Sequence, residues 1–185
     1  MFRNKNEVAL RNQKDFASIL NSSVIAVIIS VLGKQGRASF AASLLHELRN
    51  NGLIIDIYAY TSLITAYASN GRYREAVMLF NKLEQEGYTP TLITYNIILN
   101  AYGKMGMPWS KIAAIVDSMK SFGVAPDLCT YNMLISSCCR GSLYKEAAEV
   151  FEEMKAAGFI PDKVTYNALL DVYGKSRRPK ERWRF

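Results

Sequence analysis

The strongest constraint on what this chain can fold into is a repeat. One column holds Thr61, Asn96, Asn132 and Asn167, a second holds Leu48, Leu83, Met119 and Met154, and a third holds Gly52, Gly87, Gly123 and Gly158; all three step by 35, 36 and 35 residues. Pro90, Pro126 and Pro161 follow the glycines, with Ile55 in the first slot. Independent columns that share one irregular spacing mark a repeat architecture, and that choice precedes the assignment of any single helix. The extra residue of the long step lies between Gly106 and Ile112, in GMPWSKI.

Units are accordingly drawn at 22–56, 57–91, 92–127 and 128–162, followed by an incomplete unit with a basic tail at 163–185; residues 1–21 read as a cap or the remnant of an earlier helix. Each complete unit contains two helical patterns. In LITYNIILNAYGK, Tyr95, Ile98 and Tyr102 fall on one stripe. After a turn near Gly71, Gly106 or Arg140-Gly141, the second pattern, as in EAAEVFEEMKAAG, places Ala147, Val150, Phe151 and Met154 on one stripe and stops at glycine. The small residue Ala41, Ala76 or Ala147 is expected to let the two helices approach closely, with Ile112 in its place in the third unit. A single hairpin cannot bury its stripe alone, so neighbours must stack. The predicted fold is all-α, a right-handed α-solenoid of helix-turn-helix repeats.

Composition narrows the function classes. The formal charge is +7, but residues 177–185 carry +4 of it and residues 1–15 carry +2, so 16–176 hold only +1. A basic isoelectric point is therefore a weak argument for nucleic acid here. Cys129, Cys138, Cys139 and His46 form no C-x-x-C pair and are too few for a zinc site, so no metal or cofactor is expected. The cysteines read as buried helix residues of a reducing compartment. The apolar run Val24 to Leu32, broken by Ser30, is far short of the roughly 20 residues of a membrane span, and no membrane partner is expected. The opening MFRNKNEVALRNQKDF contains Glu7 and Asp15 and little serine, a poor match to a signal or transit peptide.

The residues Val164-Thr165-Tyr166-Asn167-Ala168-Leu169-Leu170, with Glu146-Ala147, Phe151-Glu152-Glu153-Met154-Lys155 and Gly158-Phe159-Ile160-Pro161-Asp162, share the pattern V-T-Y-N-x-L-I, E-A, F-x-x-M-K and G-x-x-P-D. A hairpin of this form and period resembles the pentatricopeptide repeat family. Units from 57 to 162 match it well, whereas 22–56 matches loosely, without Thr-Tyr or the proline.

Counted from the start of each unit, positions two, five, nine and thirteen share one face of the first helix. In unit 92–127 they are Ile93, Asn96, Asn100 and Lys104, and in unit 128–162 they are Cys129, Asn132, Ser136 and Arg140. This stripe lies opposite the tyrosines expected to be buried. Lys34, Lys104, Arg140 and Lys175 put one cation per repeat at its end, a spacing suited to successive phosphates of a single strand. An amide offers both donor and acceptor to a base edge. On this reading the asparagine need not serve the fold at all.

The resemblance implies that one base is read per repeat, by the fifth residue together with the last, while an apolar residue at position two packs on the base. Matched by position, Asn96 pairs with Asp127 and Asn132 with Asp162, combinations similar to the family's uracil-preferring pair. Ile93, Cys129 and Val164 would flank bases. Thr61 with Thr91 implies only a vague purine preference, Ala26 with Asp56 carries no recognisable code, and Asn167 lacks a partner in the incomplete unit. The implied readout is U-U with a poorly specified base on its 5′ side.

The expected function is sequence-selective binding of single-stranded, U-rich RNA, weak for this chain alone and strengthened by other proteins or self-association. The resemblance implies an adaptor in RNA stabilisation, processing, splicing or translation, in a plant chloroplast or mitochondrion. With one histidine, no H-x-E and C-x-x-C set and no Gly-rich phosphate loop, the chain is not expected to be an enzyme. ERWRF departs from the apolar stripe of a second helix and reads as truncation. The competing reading is a protein-interaction scaffold that uses the same groove.

Overall fold

A computed structural model describes residues 22–139 and 143–175. Among them all regular structure is α-helical: α1 Ser22–Lys34, α2 Ala38–Asn50, α3 Ile57–Ser69, α4 Tyr73–Gln85, α5 Leu92–Met105, α6 Trp109–Ser121, α7 Leu128–Cys138, α8 Tyr144–Ala156 and α9 Lys163–Lys175. The chain divides into two compact units, Met1–Tyr88 and Thr89–Phe185. In the first, α1 packs on α2 and α3, and α3 also meets α2 and α4. In the second, α7 is central, touching α5, α6, α8 and α9. In both units the first helices of successive repeats stand side by side.

The helix boundaries follow from recurring caps. Asp56, Thr91 and Asp127 sit in extended backbone before α3, α5 and α7, and their side chains accept the amide N–H three residues on. Asp162 does the same for Thr165 ahead of α9, at 2.8 Å. Each cap satisfies a donor that the first helical turn leaves unpaired. At the other end, Gly52, Gly87, Gly123 and Gly158 adopt φ between 73° and 85°, the left-handed region that glycine enters without steric cost.

The residue after each of these glycines donates back to the carbonyl of the Leu/Met column. Leu53 reaches Leu48 at 3.1 Å, Tyr88 reaches Leu83 at 3.0 Å, Val124 reaches Met119 at 3.0 Å and Phe159 reaches Met154 at 3.2 Å. This is the six-to-one bond of a Schellman cap, in which an apolar pair commonly covers the turn. The Leu/Met and glycine columns therefore move together because they belong to one capping unit.

The predicted stripes are buried. Tyr95, Ile98 and Tyr102 lie in the core of the second unit, as do Ala147, Val150, Phe151 and Met154; Ala41 and Ala76 are fully buried in the first. The extra residue of the third repeat falls in Met107-Pro108. Two residues separate Gly106 from the start of α6 at Trp109, against one between Gly71 and the start of α4 at Tyr73. Pro108 precedes α6 with φ −62°, a value compatible with entry into a helix. The Arg140-Gly141 turn lies outside the described residues.

One expectation needs correction. Of the cysteines, only Cys138 is buried; Cys129 is exposed and Cys139 is intermediate. Cys138 lies two helical turns beyond Tyr131 on the core stripe, whereas Cys129 sits on the opposite, polar face. Burial pushes the Cys138 thiol up to about 12, so it is an inert apolar filler. Tyr166 shares the register of the buried Tyr95 and Tyr131 but is exposed.

Candidate functional site

The fifth-position asparagines do not project as isolated side chains. The Asn96 amide on α5 donates to Asp127 Oδ1 at 3.3 Å, and its carbonyl oxygen accepts from the Thr130 hydroxyl on α7 at 2.7 Å. Thr130 Oγ1 also lies 2.7 Å from Asp127 Oδ1 and accepts the Asp127 backbone N–H at 3.2 Å. The Thr130 N–H closes the cap on Asp127 Oδ1 at 2.7 Å.

The next repeat reproduces this network. Asn132 donates to Asp162 Oδ1 at 3.3 Å and accepts from Thr165 Oγ1 at 2.6 Å. Thr165 Oγ1 stands 2.9 Å from Asp162 Oδ1 and accepts the Asp162 N–H at 3.2 Å. Thr130 and Thr165 are fully buried. The asparagine therefore does serve the fold, contrary to expectation: each one ties its helix to the N-cap of the following repeat's first helix.

The electrostatics follow from these bonds. At Asp127 the largest single influence is burial, which opposes ionisation; hydrogen bonds from the Thr130 backbone, the Thr130 hydroxyl and Asn96 outweigh it and hold the carboxyl below its ordinary range. Asp162 is also lowered, first by the Thr165 backbone N–H and then by the Thr165 hydroxyl. Both are thus carboxylates at neutral pH and act purely as acceptors. The Val164 backbone N–H adds to these bonds at Asp162, and a carboxylate with about four lone-pair sites keeps acceptor capacity for a ligand. Each repeat consequently presents an amide N–H beside a carboxylate oxygen, a donor next to an acceptor.

In the second unit a cavity of about 720 Å³ on the faces of α5, α7 and α9 is lined by Asn132, Asp162 and Asp127 together with Cys129 and Val164. Lys104, exposed in the last turn of α5, reaches the same cavity. Sequence position two is apolar yet open to solvent, with Ile93 65% and Val164 56% exposed. Ile93 and Asn96 do not line this cavity. Asn167 is exposed on α9.

The remaining candidates are less informative. Thr61 is half-buried on α3, and Lys34 is exposed at the end of α1. Thr91 caps α5, accepting from Thr94 N–H at 3.4 Å. Arg140 and the side chain of Lys175 lie outside the described residues. The residues that sequence reasoning missed are Thr130 and Thr165, the first letter of the recurring Thr-Tyr-Asn. Their hydroxyls join the asparagine of one repeat to the aspartate that ends it.

Comparison with known proteins agrees with the repeat architecture. A model of the pentatricopeptide repeat domain matches residues 43–105, one of the PPR repeat family matches 90–140 and 126–175, and one of the single PPR repeat matches 27–53. A pentatricopeptide repeat-containing protein of Arabidopsis thaliana is 61% identical over 153 residues, covering 80% of this chain and 19% of that protein. The chloroplastic pentatricopeptide repeat-containing protein 10 of Zea mays is 41% identical over 128 residues, covering 69% of this chain and 16% of that protein. The chain thus spans about a fifth of the length of the curated relatives it matches. The crystal structure of PPR10 in complex with an 18-nt psaJ RNA element superposes with a TM-score of 0.73 at 38% identity, over 95% of this chain and 26% of that one.

Proposed function

The chain belongs to the pentatricopeptide repeat family, and from that premise we propose that it binds single-stranded RNA, reading two adjacent uracils, in the RNA metabolism of a plant organelle. The observation that carries the reading is the duplicated donor–acceptor edge, Asn96 with Asp127 and Asn132 with Asp162. A uracil edge offers an N–H beside a carbonyl oxygen. The acceptor capacity left on the carboxylate suits the first and the remaining amide N–H suits the second. Cytosine presents the reverse pattern, a ring acceptor beside an amino donor.

The apolar, solvent-facing Ile93, Cys129 and Val164 suit the faces of bases, and Lys104 suits a phosphate. The reading units are the repeats drawn at 57–91, 92–127 and 128–162, with 22–56 and 163–185 flanking them. Relatives named as chloroplastic support an organellar setting, and the maize structure with bound RNA supports the ligand class.

The test is equilibrium binding of oligo-U, oligo-A and oligo-C at two salt concentrations. Preference for U and weakening with salt are expected. Absence of salt-dependent binding to any of them would overturn RNA recognition and leave the groove to protein partners.

A further inference from the structure

We propose that Thr130 and Thr165 are specificity-determining positioning residues: their buried hydroxyls fix the orientation of the Asn96 and Asn132 carboxamides and thereby set the choice of uracil over cytosine. This rests on the reading that the Asn–Asp pairs face bases, and deepens it.

A carboxamide can present either its NH2 or its oxygen toward a ligand, and the two orientations are nearly isosteric. What decides between them is the partner on each side. Asp162 Oδ1 already receives the Thr165 N–H at 2.8 Å and the Asn132 amide at 3.3 Å. The Thr165 hydroxyl has one proton to place, and its two near acceptors are Asp162 Oδ1 and Asn132 Oδ1. Asn132 Oδ1 has no other donor among the described residues and is the nearer acceptor, at 2.6 Å against 2.9 Å, so the hydroxyl, shared between the two, holds the amide oxygen on the threonine side. With the oxygen held by threonine and one N–H held by aspartate, the second N–H is the atom left for the base. It favours a carbonyl acceptor and repels an amino group. The same reasoning applies to Thr130 and Asn96, with distances that agree within about 0.2 Å.

The sequence supports the assignment independently. The third position of successive repeats reads Ala59, Thr94, Thr130, Thr165, while the fifth position of the preceding repeat reads Ala26, Thr61, Asn96, Asn132. The hydroxyl appears wherever the preceding fifth position is polar and is missing where it is alanine. A cap alone would not require this pairing, because Asp56 caps α3 through the Ala59 N–H at 2.9 Å with no hydroxyl present.

The test uses single variants and oligoribonucleotides carrying UU, UC, CU or CC at their centre. Thr165→Val removes the hydroxyl at near-constant volume. The expected result is that the U-to-C affinity ratio falls about fivefold or more at one of the two base positions, the scale of one lost hydrogen bond, with the other position unchanged. Thr130→Val should relax the adjacent position instead, and Thr165→Ser, which keeps the hydroxyl, should retain the ratio. A merely structural role would weaken all four oligonucleotides in parallel. An unchanged ratio in Thr165→Val, or a lost ratio in folded Thr165→Ser, would overturn the inference while leaving RNA recognition intact. Failure of the parent chain to prefer UU over CC would overturn both.

Discussion

At the scale of single residues, the carboxylates that cap α7 and α9 link stability to pH. Their folded-state values lie below the ordinary carboxylate range, because hydrogen bonds favour the charged form in the native state. The unfolded chain therefore binds protons more readily than the folded one. The resulting stabilisation is complete above the unfolded value, about 3.9 for an aspartate, and is lost as pH falls through the lower folded values. Thermal unfolding midpoints should drop on acidification below about pH 4, and the drop should be shallower in Asp127→Asn/Asp162→Asn. Equal slopes for the two chains would contradict this. The asparagines were legible from the repeat, and the family resemblance added their aspartates. The threonines between them were not, because a threonine in the first helical turn looks like an ordinary capping residue and its partner lies 33 or 34 residues earlier.

At the scale of elements, nearly everything was written in periodicity and punctuation, since a helix of 13 residues such as α3, with a capped start and a glycine just past its end, declares itself locally. What periodicity does not report is how near two helices come. Gly33 on α1 is such a case. A Cβ built there would stand 2.5 Å from Ala66 Cβ and 3.0 Å from Ala66 Cα on α3. The obstacle is partly backbone, so no rotamer change relieves it and the helices must separate. Gly33→Ala should lower stability by about 1–3 kcal/mol, the usual cost of overpacking, even though alanine is the better helix former by about 1 kcal/mol. Gly174→Ala, on α9 with nothing within 4 Å of its Cβ position, serves as the control and should show the propensity gain alone. Urea unfolding of the two variants beside the parent separates packing from propensity.

At the scale of the whole molecule, the proposed RNA affinity is limited by the number of base-reading sites and shaped by where charge sits. Stacking contributes about 1–3 kcal/mol per base, so two bases supply roughly 2–6 kcal/mol, short of the 8.2 kcal/mol that corresponds to 1 μM. On the proposed reading the remainder comes from phosphates and from further repeats or partners. Net charge misleads here, because most of the +7 lies in residues 1–15 and 177–185 rather than along the repeats. The groove itself is marked by Lys104, which shares its cavity with Asn132 and Asp162. A cation that meets a phosphate carries no base information, and its loss acts through counterion release. Lys104→Ala should therefore weaken oligo-U, oligo-A and oligo-C by the same factor and leave their ranking intact. It should also reduce the slope of log affinity against log salt by about 0.7, the single-strand value for one phosphate contact. A change in ranking would place Lys104 among the base readers, and an unchanged slope would remove it from the RNA path.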